Sequence, residues 1–147
     1  MKDTSRARSA SIVLHVEDDQ ALAGAIKSLL EIAGHVAISA TGSADAIAQL
    51  TRTGIRPDVL IVDYRLASSE TGTDVAEQIA SLVGHSIPTI VLTGDLVNAE
   101  VPWMPGAPMM LVAKPVDAST LLETIEHFTS LHHAVRAPWD QGRGVPR

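Results

Sequence analysis

The sequence contains no cysteine, so it has no disulfide framework, no thiolate metal site and no cysteine redox chemistry, and it suits a reducing, cytoplasmic setting. No apolar run reaches membrane-spanning length, and Met1 to Ser11 carries Lys2, Arg6 and Arg8 without an apolar core. The chain therefore reads as having neither a membrane anchor nor a secretory signal. Basic residues are scarce in its middle: from Ile12 to Leu131 five Lys or Arg stand against fifteen Asp or Glu, a net of −10, while each tail carries +2. A surface of that sign repels phosphate backbones and argues against direct nucleic-acid binding. Internal repeats and low-complexity tracts are absent too. What is there is 147 residues with 46% hydrophobic content, enough for one domain with a full core rather than two.

Short apolar runs alternate with helical periodicity. Ile12 to Val16 reads as a first buried strand, closed by Glu17-Asp18-Asp19. Leu22, Ala25, Ile26, Leu29, Leu30 and Ala33 then recur at three- and four-residue spacing, with Asp19 as N-cap and Gly34 as the stop. Val36 to Ala40 is a second strand, and Ser43 caps a helix that carries Ala44, Ile47, Ala48 and Leu50 to Gly54. Pro57 and Asp58 precede a third strand, Val59 to Val62, whose continuous β-branched-rich run marks burial on both faces of a parallel sheet. It ends on Asp63. A polar loop, Ser68 to Gly72, leads to a helix bearing Val75, Ala76, Ile79 and Leu82, and Thr89 to Leu92 is the fourth strand. The rhythm then breaks at Pro102, Pro105 and Pro108. An interior proline costs a helix about 3 kcal/mol, so at most two turns are expected, near Leu96 to Val101. Met110 to Ala113 is a fifth strand and Lys114-Pro115 a turn; Asp117 or Ser119 caps a last helix with Leu121, Leu122, Ile125 and Phe128 facing inward. Regular pattern ends at Leu131.

This alternation implies an α/β fold, a doubly wound five-stranded parallel sheet with right-handed crossovers that put helices on both faces. Residues 11–131 are expected to form the domain, between a flexible basic tail at 1–10 and a flexible tail at 132–147 with no output domain. The carboxyl ends of such strands share one edge, where ligands bind. Glu17, Asp18, Asp63, Thr93 and Lys114 converge there. His15, inside a buried strand, reads as a packed histidine, and His132-His133 as a weak metal pair in a tail.

The pieces that meet at this edge are Val16-Glu17-Asp18-Asp19, Pro57-Asp58-Val59-Leu60-Ile61-Val62-Asp63, Pro88-Thr89-Ile90-Val91-Leu92-Thr93-Gly94 and Lys114-Pro115. Separations of 45, 30 and 21 residues lie between Asp18, Asp63, Thr93 and Lys114. In that order and spacing the sequence resembles the response-regulator receiver domain, the phosphoacceptor half of two-component signalling, over most of its length. The resemblance implies a flavodoxin-like strand order, 2-1-3-4-5, here with a shortened or irregular fourth helix, and a cis Lys114-Pro115 bond. The wording Asp63-Tyr64-Arg65-Leu66, Leu92-Thr93-Gly94-Asp95 and Lys114-Pro115-Val116 is most similar to receivers attached to hybrid sensor kinases.

What the resemblance implies is a phosphoacceptor that catalyses its own phosphorylation and dephosphorylation rather than a conventional enzyme. Asp63 would be the nucleophile toward a phosphohistidine of a cognate sensor histidine kinase or phosphotransfer protein. Lys114 and Thr93 would bind phosphoryl oxygens, and Gly94 would leave room for the group. Glu17, Asp18 and Asp63 crowd three carboxylates that repel one another unless a cation sits among them. Their hard oxygens suit Mg²⁺, or Mn²⁺ in its place, helped by the backbone carbonyl of Arg65. Signal would pass to an unknown downstream protein by contact or by phosphorelay.

Two features depart from the family. Leu111 stands where a switching Tyr or Phe is usual, and the prolines break the helical segment beside it, so Trp103 becomes the switch residue to watch with Thr93 and Leu111. A homodimer through this altered face is compatible with the sequence. Arg65 and Asp95 flank the site from adjacent strand ends, and an ion pair between them is expected to limit water access. The alternative function is a phosphorylation-independent binding scaffold. A haloacid-dehalogenase-type phosphatase would need a second Asp where Arg65 stands, and a dinucleotide enzyme a glycine-rich turn where Glu17-Asp18-Asp19 stands.

Overall fold

Nine regular elements follow one another in the computed structural model, which describes residues 10–66, 69–97, 99 and 106–143, with side chains as far as Ser130. They are β1 (Ile12–Val16), α1 (Gln20–Ile32), β2 (Val36–Ala40), α2 (Ser43–Thr53), β3 (Val59–Asp63), α3 (Gly72–Val83), β4 (Thr89–Thr93), β5 (Met109–Ala113) and α4 (Ala118–Arg143). All four strand pairings are parallel, and the sheet order is β2-β1-β3-β4-β5. This is the flavodoxin-like order expected of the sequence.

Successive side chains of a strand point to opposite faces, and the two halves of the core divide accordingly. Leu14, Val16, Leu60, Val62 and Val91 pack with Ala46 and Leu50 of α2 and Val75 and Ile79 of α3. Val13, Val59, Ile61, Ile90 and Leu92 pack with Ile26 and Leu30 of α1 and Leu121, Ile125 and Phe128 of α4. The central strands are buried on both sides, which is why they read as unbroken apolar runs rather than alternating ones.

The helix starts are set by short polar side chains. Asp19 accepts the N–H groups of Ala21 and Leu22 at 3.0 and 3.2 Å and caps α1. Thr71 and Asp74 form a capping box at α3, each side chain accepting the other's backbone N–H at 3.1 Å. Asp117 rather than Ser119 caps α4, accepting the Thr120 N–H at 2.9 Å. Gly54 and Gly84 close α2 and α3 with φ of 72° and 94°, the left-handed conformation that glycine adopts without a Cβ penalty.

Several expectations need correction. Ser43 is the first residue of α2 and not its cap; Gly42 occupies the cap position and has no side chain to offer. Ala23 rather than Ala25 is buried in α1, and Leu82 of α3 is 38% exposed, while its neighbour Val83 packs against the core. The helix α4 continues past Leu131 to Arg143, since a helix is held by its backbone hydrogen bonds and does not require an apolar period to run on. Between β4 and β5 the described residues hold a turn at Leu96 and Val97 and an Ala99 N–H to Asp95 carbonyl bond of 3.1 Å, and no helix. The remainder of the Leu96 to Val101 segment, together with Trp103, lies outside the described residues. Among the described residues no helix is long and apolar enough to cross a membrane.

Candidate functional site

The register of the sheet builds the site. Val16 pairs with Val62, so the next residue of each strand, Glu17 and Asp63, emerges on neighbouring ends of β1 and β3. Asp63 pairs with Leu92, and Thr93 with Ala113, which brings Thr93 and Lys114 to the same edge. Two backbone bonds extend the ladder by one step: Tyr64 N–H to Leu92 carbonyl and Lys114 N–H to Thr93 carbonyl, both 2.8 Å. The Lys114-Pro115 bond that follows is cis. Convergence at the edge is therefore a product of backbone pairing, and the side chains inherit it.

Lys114 Nζ lies 2.6 Å from Asp63 Oδ1 and 4.0 Å from Glu17 Oε1. Oxygens of Glu17, Asp18 and Asp63 all fall within 4.8 Å of one another. Glu17 is 1% exposed; its Oε2 accepts the Asp19 N–H at 3.2 Å, while Oε1 is buried and accepts no hydrogen bond among the described residues. A buried carboxylate oxygen left without a donor is a strained arrangement unless a cation satisfies it. The three-carboxylate donor set with this orphaned oxygen fits a hard divalent ion.

Burial raises the Glu17 carboxyl above the ordinary range, and the charges of Asp63 and Asp18 add to this, while the Asp19 N–H and Lys114 oppose it. Burial acts to lower the Lys114 ammonium, but the hydrogen bond and charge of Asp63, with Glu17 and Asp18 behind it, raise it on balance. Lysine is thus held charged at this edge. His15 lies beneath, with Nε2 3.9 Å from Glu17 Oε1 and both ring nitrogens without hydrogen-bond partners among the described residues. Burial, with the Lys114 charge adding, pushes it down to about 4, so it is a neutral packed imidazole.

A cleft of about 350 Å³ opens over these groups, bordered by Asp63, Arg65, Thr93, Gly94, Asp95 and Lys114. Thr93 is 3% exposed and its Oγ1 accepts the Asp95 N–H at 3.1 Å. A Cβ added at Gly94 would meet nothing within 4 Å, so the space over this residue is open. The Arg65 guanidinium sits over the Tyr64 ring, 5.3 Å from its centroid, within cation–π range. Leu111 is half-buried on β5 and packs against the α2–α3 side of the core.

Two residues that sequence reasoning passed over lie in the loop that leaves Asp63. A Cβ on Gly72 would lie 2.7 Å from Val62 Cγ2 and 2.8 Å from the Asp63 carbonyl oxygen, so only glycine fits against the end of β3. Glu70 reaches back to Ser43 at the start of α2. Gly72 followed a run of polar loop residues and had no local signal beyond that; Glu70 meets a partner 27 residues earlier, which no periodicity reports.

Residues 13–126 match the family described as response regulator receiver domain. Among solved structures the chain is similar to a response regulator receiver domain protein from Clostridium thermocellum, at 29% identity with a TM-score of 0.71, over 85% of this chain and 98% of that one. It is also similar to the signal receiver domain of a modulated diguanylate cyclase from Desulfovibrio desulfuricans G20, at 26% identity and TM-score 0.66, over 84% of this chain and 96% of that one. The response regulator PhyR from Brucella abortus shares the fold at 23% identity and TM-score 0.74, over 92% of this chain but 54% of that one. This chain thus spans about half the length of that protein. No curated protein matches it.

Proposed function

The chain belongs to the response regulator receiver domain family, and on that premise we propose that Asp63 accepts a phosphoryl group from a phosphohistidine of a sensor histidine kinase or phosphotransfer protein. The observation that carries this reading is the Lys114 ammonium 2.6 Å from the Asp63 carboxylate at an edge shared with Glu17, Asp18 and Thr93. An Asp63 oxygen attacks phosphorus as the P–N bond breaks; the imidazole leaves with the bonding pair and Asp63 holds a mixed anhydride. Lys114, already on Asp63, is in reach of the charge that passes to the phosphoryl oxygens. The Thr93 hydroxyl accepts from the Asp95 N–H and so keeps its own proton to donate to a phosphoryl oxygen.

Glu17, Asp18 and Asp63, with the backbone carbonyl of Arg65, are the groups that would hold Mg²⁺ or Mn²⁺. When bound, the metal supplies positive charge among the carboxylates and the equatorial oxygens. Arg65 and Asp95 border the mouth of the cleft, where their opposite charges restrict the water that resets the switch. The motif wording around Asp63, Thr93 and Lys114 supports a receiver of the kind attached to hybrid sensor kinases, acting within residues 11–131 by protein contact or onward phosphoryl transfer. A cysteine-free chain suits the cytoplasm.

Mass spectrometry after treatment with acetyl phosphate, with and without Mg²⁺, tests the reading on wild type and Asp63→Asn. One phosphoryl group gained only with both Mg²⁺ and Asp63 is expected. A folded, Mg²⁺-binding protein that gains none sinks the reading and leaves the phosphorylation-independent scaffold. In the same assay followed over time, Arg65→Ala is expected to change the phosphoryl lifetime severalfold; an unchanged rate removes its guarding role.

A further inference from the structure

The helix α2 starts in an unusual way. Its cap position, Gly42, has no side chain, yet the first N–H groups of a helix need acceptors. Glu70, 27 residues further along the chain, supplies one: its Oε1 accepts the Ser43 N–H at 3.1 Å, and its Oε2 accepts the Ser43 hydroxyl. A carboxylate at this end also meets the positive pole of the helix. Asp45 does separate work in the same first turn, accepting the Thr41 N–H at 2.9 Å.

Glu70 belongs to the loop that leaves Asp63, and that loop is closed on itself. Arg65 and Thr71 form an antiparallel bridge. The Leu66 N–H bonds to the Glu70 carbonyl at 2.9 Å, the Ser69 N–H to the Leu66 carbonyl at 3.0 Å, and the Gly72 N–H to the Tyr64 carbonyl at 3.0 Å. Ser69 holds a φ of 71°, a conformation that non-glycine residues seldom adopt outside tight turns. One strand of this strap carries Tyr64, Arg65 and Leu66 out of the site; the other returns through Glu70 and Thr71 into α3. Glu70 is therefore fixed twice, by its carbonyl to Leu66 and by its carboxylate to Ser43.

We infer that Glu70 is a positioning residue: by anchoring the strap to the start of α2 it fixes the backbone at Arg65, whose carbonyl is the group that would join Glu17, Asp18 and Asp63 around the metal. The role rests on the phosphoacceptor reading above. Without the anchor the strap keeps its backbone bonds and its continuation into α3, and loses the tie through Ser43 that holds it to the start of α2. The site then keeps all its ligands and loses the order of one.

The test uses the full chain with Glu70→Ala, Glu70→Gln and Asp45→Ala, reading Mg²⁺ affinity by isothermal titration, thermal unfolding without metal, and amide hydrogen exchange. Glu70→Ala is expected to weaken Mg²⁺ binding about tenfold, the lower end for groups that orient metal ligands, and to speed exchange at Leu66 and Gly72. Glu70→Gln, whose amide oxygen still accepts the Ser43 N–H, restores most of the affinity. Asp45→Ala removes a carboxylate from the same helix start but not from the strap; it lowers the unfolding temperature and leaves Mg²⁺ affinity alone. If Glu70→Ala behaves like Asp45→Ala, with affinity and loop exchange unchanged, the positioning role is wrong while the phosphoacceptor reading stands. Wild-type protein that binds no Mg²⁺ overturns both.

Discussion

A side chain at Gly72 would run into the end of β3, which limits what this position can tolerate. The nearest atoms to a Cβ at Gly72 are Val62 Cγ2 at 2.7 Å and the Asp63 carbonyl oxygen at 2.8 Å, and the latter cannot rotate away. Gly72→Ala must therefore displace either α3 or the strand end. We expect it to destabilise the protein by about 1–3 kcal/mol, the usual cost of forcing extra volume into a packed site, and to slow phosphorylation from acetyl phosphate more than it lowers stability. Urea unfolding and the rate measured on the folded fraction separate the two effects. Gly94, by contrast, has open space beyond its Cα, so its substitution acts on whatever enters the cleft rather than on the fold.

At the scale of elements, α4 is held at its start by Asp117, whose carboxylate takes both the N–H and the hydroxyl of Thr120 at 2.9 Å. Those two bonds, backbone first, hold the Asp117 carboxyl below its ordinary value of 3.8. A carboxylate with a depressed folded value adds stability above its unfolded value and loses it as pH falls through the folded one. Asn caps a helix as Asp does but does not titrate. Wild type is thus expected to hold a stability advantage over Asp117→Asn at neutral pH that shrinks as the pH falls below about 3.8, read from unfolding temperatures at pH 7 and pH 3. A constant difference between the two would mean that the cap's charge contributes nothing. The β4–β5 connection belongs to this scale too: prolines at 102, 105 and 108 shortened the expected helix to at most two turns, near Leu96 to Val101, and the described part of the segment holds only a turn.

For the whole molecule the governing quantity is the crowding of negative charge at one end of the sheet. Three carboxylates with oxygens within 4.8 Å of one another, one of them buried with an oxygen that accepts no hydrogen bond among the described residues, oppose folding in the absence of a cation. Mg²⁺ at about one hundred times its Kd is expected to stabilise the fold by about 2–3 kcal/mol. Calorimetry with Mg²⁺ and with EDTA should show that increment in wild type and not in Asp18→Asn; an equal increment in both would move the ion elsewhere. The sequence by itself determined the strands, most of the buried helix positions and the edge at which Glu17, Asp18, Asp63, Thr93 and Lys114 meet. It could do so because burial imprints a period on the chain, and a parallel sheet aligns every strand's carboxyl end once the alternation is known. Only the tertiary structure decided that Glu70 rather than Ser43 satisfies the start of α2, that Gly72 presses on Asp63, and that Arg65 stacks on Tyr64. Those choices depend on the distances between loops after the helices dock on the sheet, and no local pattern of apolar and polar residues carries that information.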